Sequence, residues 1–283
     1  LAQSDPLSKG NVTINQSGGS VTTSGTGERQ QLSHGILAEA TGSGNSTINQ
    51  SGGTVSTTGN GSHGLYGYSI SGDVNINQGA TASAQASGEN ASALVAEAVS
   101  PEQRYAIKAA GTLIGGSGQG AGIRTSTQAN GSLELGATAK VSAASGIAIL
   151  DGSGNSTITS AGTITGDILT NAGDDQLNLL AGSVTNGSVI MGKGDDRATI
   201  EDGADITRVS LFDGGEGVND SLSFAGGERN IAADSLQNWE TVVLDAGARI
   251  NFDSPGLSVG SSDNATERGL IINQGATLRA RQS

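Results

Sequence analysis

The segment from Asn11 to Val21, NVTINQSGGSV, returns from Asn45 to Val55 as NSTINQSGGTV, and a looser copy, DVNINQ, begins at Asp73. A unit this short cannot bury its apolar face alone, so neighbouring copies must stack and share one continuous core. A second marker keeps step with the first. It runs through Ser33-His-Gly-Ile-Leu37, Ser62-His-Gly-Leu-Tyr66, Ser92-Ala-Leu-Val95, Gly120-Ala-Gly-Ile123 and Ser145-Gly-Ile-Ala-Ile149. Between the markers lie short alternating runs such as Thr54-Val-Ser-Thr-Thr58, bounded by Gly and Asn, which read as strands of roughly five residues ending in turns. One repeat is therefore three short strands and three turns. The predicted fold is all-β, a right-handed parallel β-helix of about 10–13 rungs with a C-terminal cap-like region. At about 25 residues per rung and 4.8 Å between rungs, eleven rungs make a rod of roughly 50 Å.

Forty-six glycines against three prolines would suggest disorder if they were unpatterned. Here Gly, Asn, Asp and Ser gather between the apolar runs, where turns need positive φ or side-chain bonds to the backbone. Aromatic residues make up only 2% of the chain, so Ile, Val, Leu, Ala and Thr must fill a narrow interior with no wide cavity. The triplets at Asn11, Asn45, Asn90 and Asn155 match the glycosylation pattern, but they recur at repeat turns, where stacked Asn side chains bond along the rod.

A net charge of −13 lacks the clustered Lys and Arg that nucleic-acid phosphates require, so no nucleic-acid partner is expected. No run approaches eighteen consecutive apolar residues, and Leu1-Ala-Gln-Ser-Asp5 has no signal pattern. The expectation is a processed chain or an excised domain. The absence of cysteine fits a protein that crosses an oxidising compartment unfolded, and equally fits a cytosolic one.

The sequence divides at about residue 166. Residues 1–165 carry the longer His-Gly-Ile type of repeat, and residues 166–283 carry shorter acidic ones. Ala172-Gly-Asp-Asp-Gln-Leu-Asn-Leu179 is echoed by Lys193-Gly-Asp-Asp-Arg-Ala-Thr-Ile200 and, more loosely, by the stretch from Asp213 to Phe224. Phe212, Phe224, Trp239 and Phe252 all fall in this half, which predicts a bulkier core or a cap and a more stable C-terminal third.

The Gly59-Asn-Gly-Ser-His-Gly-Leu65 and Ser33-His-Gly-Ile-Leu-Ala38 patterns resemble the passenger regions of autotransporter proteins of Gram-negative bacteria. So do the later Gly-Asp-Asp-x-Leu-x-Leu coils and Leu236-Gln-Asn-Trp-Glu-Thr-Val-Val-Leu244. The likeness spans nearly the whole chain and is one of repeat style. It implies a right-handed β-helix exported across the outer membrane to the bacterial cell surface or beyond. There it would serve adhesion, aggregation or host interaction as a virulence factor. Its partners would be a host cell, a matrix protein, a glycan or another copy of itself. The amphipathic strands of the family's membrane β-barrel are not in this sequence, so the chain is expected to be a passenger fragment.

No catalytic residue is expected. His34 and His63 follow Ser and precede Gly, but matching positions in later coils hold Ala93 or Gly, which marks them as turn residues. Gly256-Leu-Ser-Val-Gly260 matches the hydrolase elbow without the helix and later His that the elbow needs. Nonapeptide Gly-Asp repeats bind calcium in tandem, which makes Asp174, Asp175, Asp195, Asp196, Asp213 and Asp220 calcium candidates. Their turns are about twenty residues apart, however, so solvated turn aspartates are the leading reading, with no cofactor. Ligand binding is assigned to a loop at Glu97–Tyr105 expected to bulge from the rod, with Glu102, Arg104 and Tyr105, and to Tyr66 and Tyr68, which with Tyr105 offer a sugar-stacking surface. A smaller excursion is expected at Glu28–Gln31. The competing readings are a polysaccharide-cleaving β-helix enzyme, whose acid and base would be two positioned carboxylates, and a structural stalk for a missing domain.

Overall fold

The computed structural model describes residues 1–4, 9–25, 33–125, 128–252, 259 and 269–280. The Glu28–Gln31 excursion and all but Val259 of the Gly256–Gly260 elbow lie outside them. The chain is a parallel β-helix. Eleven strands stack in parallel to form one face, here face 2, from Val12–Gln16 through Ser46–Gln50 and Val74–Gln78 to Gly269–Ile272. Ile36–Ala40, Leu65–Ser69 and Leu94–Ala98 stack as face 1. Ser20–Thr23, Thr54–Thr57, Ser83–Ala86 and Thr112–Gly115 stack as face 3.

The repeated Ile-Asn-Gln triplet is explained residue by residue. Ile14, Ile48 and Ile76 are in register on face 2 and begin a row continued by Ile107, Leu133, Ile158 and Leu177. Asn15, Asn49 and Asn77 form an outer ladder, each amide donating to the carbonyl oxygen of the rung before at 2.8 and 2.9 Å. Gln16, Gln50 and Gln78 form a second ladder on the inner side, at 3.1 Å per step, with Gln50 and Gln78 buried. The inner ladder pairs Gln amides that an apolar core could not otherwise accept, leaving Gln78 Oε1 at its end without a partner among the described residues, and identical residues on successive rungs are what make the bonds possible.

Turn residues are laddered too. Asn11 accepts from the backbone N–H of Asn45, Asn45 from Asp73, Asn130 from Asn155, Asn155 from Asp174 and Asp174 from Asp195, all within 2.8–3.0 Å. This column also measures the rungs. Its steps run 34 and 28 residues early, then 25, 19 and 21.

The shortening has a visible cause. From residue 140 onward, faces 3 and 1 fuse into single bent strands, Lys140–Leu150, Thr163–Leu169, Val184–Ile190 and Asp205–Asp213. Gly146, Gly166 and Gly187 turn the corner at φ of 88°, 120° and 140°. A Cβ on Gly166 would stand 2.4 Å from the Gly146 carbonyl oxygen, and one on Gly187 would stand 2.5 Å from that of Gly166. Glycine is required there by both backbone conformation and space. The aromatic residues of the C-terminal half, Phe212, Phe224, Trp239 and Phe252, are all buried, and the Trp239 indole donates to the Phe212 carbonyl at 3.0 Å. They fill the last rungs, while the final described strand of face 2 leaves Ile271 and Ile272 about half exposed, at 49% and 48%.

Candidate functional site

Strand alternation on face 1 sends every second side chain outward. Register places Glu39, Tyr68 and Glu97 side by side on three successive rungs, with Leu37, Tyr66 and Val95 in the neighbouring row. The Tyr66 and Tyr68 rings meet edge to face with centroids 6.3 Å apart. The Tyr66 hydroxyl donates to Glu97 Oε2 at 2.5 Å. Burial, that hydrogen bond and the Glu97 charge push the Tyr66 phenol well above its ordinary value. Burial, then the charges of Glu97 and Glu39, push Tyr68 up as well. Both phenols therefore keep their protons at physiological pH, and Tyr66 gives its one O–H to Glu97. Two aromatic surfaces with donors and acceptors on one wall are suited to stacking and hydrogen-bonding a polyol, or to holding a cation against a ring.

His34 and His63 buttress this patch from the turn before face 1. Their rings stack at 5.2 Å and 9°, and Tyr66 stands edge-on to both at 4.8 and 5.4 Å. Nδ1 of His34 accepts the backbone N–H of His63 at 3.0 Å, and Nδ1 of His63 accepts that of Ser92 at 2.9 Å. In the next rung Ser92 Oγ takes the same role for Ala121 at 3.0 Å. The column needs an acceptor at each step, so each imidazole is neutral with its proton on Nε2. Burial lowers the pKa of His34 to about 4 and, with the His34 and Arg124 charges adding, that of His63 to about 3. With Nδ1 engaged by a backbone N–H, neither ring has it free to take a proton from a nucleophile.

The paired aspartates divide by face. Asp174 and Asp195 lie outside in the turn column, whereas Asp175, Asp196 and Asp220 point inward and are buried. Asp175 Oδ1 accepts the N–H of Ser156 at 2.7 Å, Asp196 that of Asp175 at 2.7 Å and Asp220 that of Asp196 at 2.6 Å, and Glu240 accepts from Asp220 at 2.8 Å. The second oxygens of Asp175, Asp196 and Asp220 have no partner. Burial, against the stabilising N–H bonds, raises Asp175 to about 8 and Asp196 and Asp220 to about 7. Asp213 accepts from Gly215 N–H in its own turn and from Asn238 Nδ2 on the next rung. Among the described residues no three His, Cys, Asp or Glu side chains converge as a metal site. The six calcium candidates thus fall into an outer column, an inner column and, for Asp213, a separate turn bonded to the next rung.

Tyr105 stands at the head of the inner column and is buried at 2% exposure, not displayed on a loop. Its ring occupies the space left by Gly131 on the next rung, and its hydroxyl reaches Asp151 Oδ1 at 2.8 Å and Ser156 Oγ at 2.5 Å. The expected bulge is also absent. Residues 99–103 form a five-residue turn, as residues 41–45 do two rungs earlier, while Glu97 lies within the strand that Ala98 closes and Arg104 and Tyr105 open the next. Glu102 is exposed in that turn, and the Arg104 backbone N–H is held by Asp73 at 2.9 Å. Of the five expected ligand-binding residues, ring contact joins only Tyr66 and Tyr68. Glu39, which completes the patch, gives no local signal; it shows only when the Ser-His-Gly markers are aligned, which sets it opposite Tyr68.

No family model matches the chain, and neither a curated protein nor a solved structure does.

Proposed function

We propose that the chain is a non-enzymatic passenger of the autotransporter kind, displayed at the bacterial cell surface or released from it, that mediates adhesion. Its partner is a host-cell or matrix glycan, met at the Tyr66–Tyr68 patch between Glu39 and Glu97. The observation that carries this reading is the outward Glu39, Tyr68 and Glu97 row with Tyr66 beside it, a concentration of aromatic and hydrogen-bonding groups on an otherwise Ser-, Thr- and Asn-rich surface. The Tyr68 hydroxyl and the Glu39 and Glu97 side chains offer the hydrogen-bonding partners that sugar hydroxyls seek, and the rings supply stacking. A single such contact is weak, and many copies on one cell add avidity. The test is to display the chain on a non-adherent bacterium and score attachment to host cells before and after enzymatic removal of their surface glycans. Attachment that appears with the chain and falls on deglycosylation supports the proposal; attachment indifferent to the glycans defeats it.

A further inference from the structure

The parallel ladder breaks along the fused face. Among the described residues, Asp205–Asp213 pairs with Val184–Ile190 on one side, but on the other it meets only Leu236–Gln237, through Phe212 and Asp213. The strand that follows in the chain on that side, Glu228–Ile231, pairs instead with Arg249–Phe252 and starts a separate three-stranded sheet with Thr277–Ala280. Two strand edges therefore face each other without ladder bonds, and a cleft of about 620 Å³ lies between them. Phe212, Ile231 and Leu236 are buried at its base, and Ile206 and Val209 are half-buried along its wall. Its rim carries Asp202, Asp205 and Glu228.

Arg229 lies among the residues that line the cleft. Its guanidinium donates to the carbonyl oxygens of Gly226 and Glu201 and lies 5.9 Å from the Phe224 ring centre, while its buried Nε has no partner. The cleft thus combines open backbone donors and acceptors, an apolar wall and an acidic rim. An open strand edge demands backbone, which a small apolar molecule cannot supply. A second copy of this chain would bring another net charge of −13 to a rim of carboxylates.

We propose that this cleft is a strand-addition site for an extended peptide of a partner protein, with apolar side chains at alternate positions and Lys or Arg at its ends. The peptide backbone completes the ladder that Asp205–Asp213 leaves open. Its alternate side chains enter beside Ile206 and Val209, and its basic ends meet Asp202, Asp205 and Glu228. Two hydrogen bonds from Thr207 hold the Asp205 carboxyl below the usual range, so it is charged at neutral pH.

The probe is a fluorescein-labelled peptide, Lys-Thr-Val-Thr-Val-Thr-Lys, titrated with the full chain and followed by polarisation. Saturable one-to-one binding is expected, weakened about tenfold when alternate amides are N-methylated, because those amides can no longer donate to the ladder. Val209→Arg should weaken it by a similar factor, and the exposed Glu228→Lys by about threefold, with unchanged melting as the check that this surface variant is folded. No saturable binding, or equal affinity for the N-methylated peptide, would overturn the proposal. So would a dimer of the chain alone that Glu228→Lys alters while the peptide fails to compete.

Discussion

Raising the pH from 6.5 to 9 should destabilise the rod, because its inner column holds protons that the unfolded chain would have released. Asp175 in the folded chain titrates at about 8 and Asp196 and Asp220 at about 7, against an ordinary carboxylate value of 3.8. A pKa raised by folding means that the folded chain binds more protons. The stability it contributes is complete below the unfolded value and is lost as pH rises through the folded one. Over this interval Asp175 alone would account for about 2 kcal/mol, and Asp196 and Asp220 for just under 1 kcal/mol each. Solvent around the exposed neighbours Asp174 and Asp195 screens roughly half of that, leaving about 2 kcal/mol from the aspartates alone. The histidines oppose this in part: at pH 6.5 each is half protonated in the unfolded chain but neutral in the folded one, so raising the pH restores about 0.4 kcal/mol each, and the net fall is nearer 1 kcal/mol, or about 3 °C in melting temperature. The assay is thermal unfolding by circular dichroism at 0.5 M salt, which mutes repulsion among surface charges. A triple variant, Asp175→Asn, Asp196→Asn and Asp220→Asn, keeps each side-chain oxygen that accepts a backbone N–H and should flatten the profile. A melting temperature that holds or rises to pH 9, or an equal slope in the triple variant, would refute the reasoning.

Other consequences follow from single contacts. Gly131→Ala should destabilise the chain by about 3 kcal/mol or more, because the new Cβ would stand 2.4 Å from the Tyr105 ring, and urea unfolding measures it. Below pH 6.5 the lowered pKa values of His34 and His63 work in the opposite sense from the aspartates, since the folded chain resists protonation and loses stability as acid is added. His63→Ser, which installs the acceptor used by Ser92, should lessen that acid sensitivity, whereas His63→Ala leaves the Ser92 N–H unpaired and should cost about 1–3 kcal/mol at pH 7. Millimolar calcium and a chelator should leave the melting temperature unchanged, because the aspartate pairs split between the outer and inner columns.

The stacking of rungs was legible in the sequence because the Ile-Asn-Gln triplet repeats in kind, and identical residues can ladder only if they stand above one another. The shorter rungs were legible as spacing, but their cause was not, since Gly146, Gly166 and Gly187 become a corner only once the strands flanking them pair. Tyr105 misled for a related reason. Near Pro101 and Arg104 it reads as a loop residue, yet its position is decided by Gly131, its register partner one rung on. The aspartate pairs read as one acidic turn because adjacency in sequence hides the alternation that sends one carboxylate out and the next one in. Tyr66 and Tyr68 were visible as aromatics, but Glu39 and Glu97 become their neighbours only through register.

Adhesion at the face 1 patch is tested most directly by displaying the Tyr66→Ala, Tyr68→Ala double variant beside the unaltered chain at equal surface density and counting attached host cells. Loss of most attachment, with the rod still folded, is the result the account predicts. Attachment equal to that of the unaltered chain would contradict it and move the binding surface elsewhere on the rod.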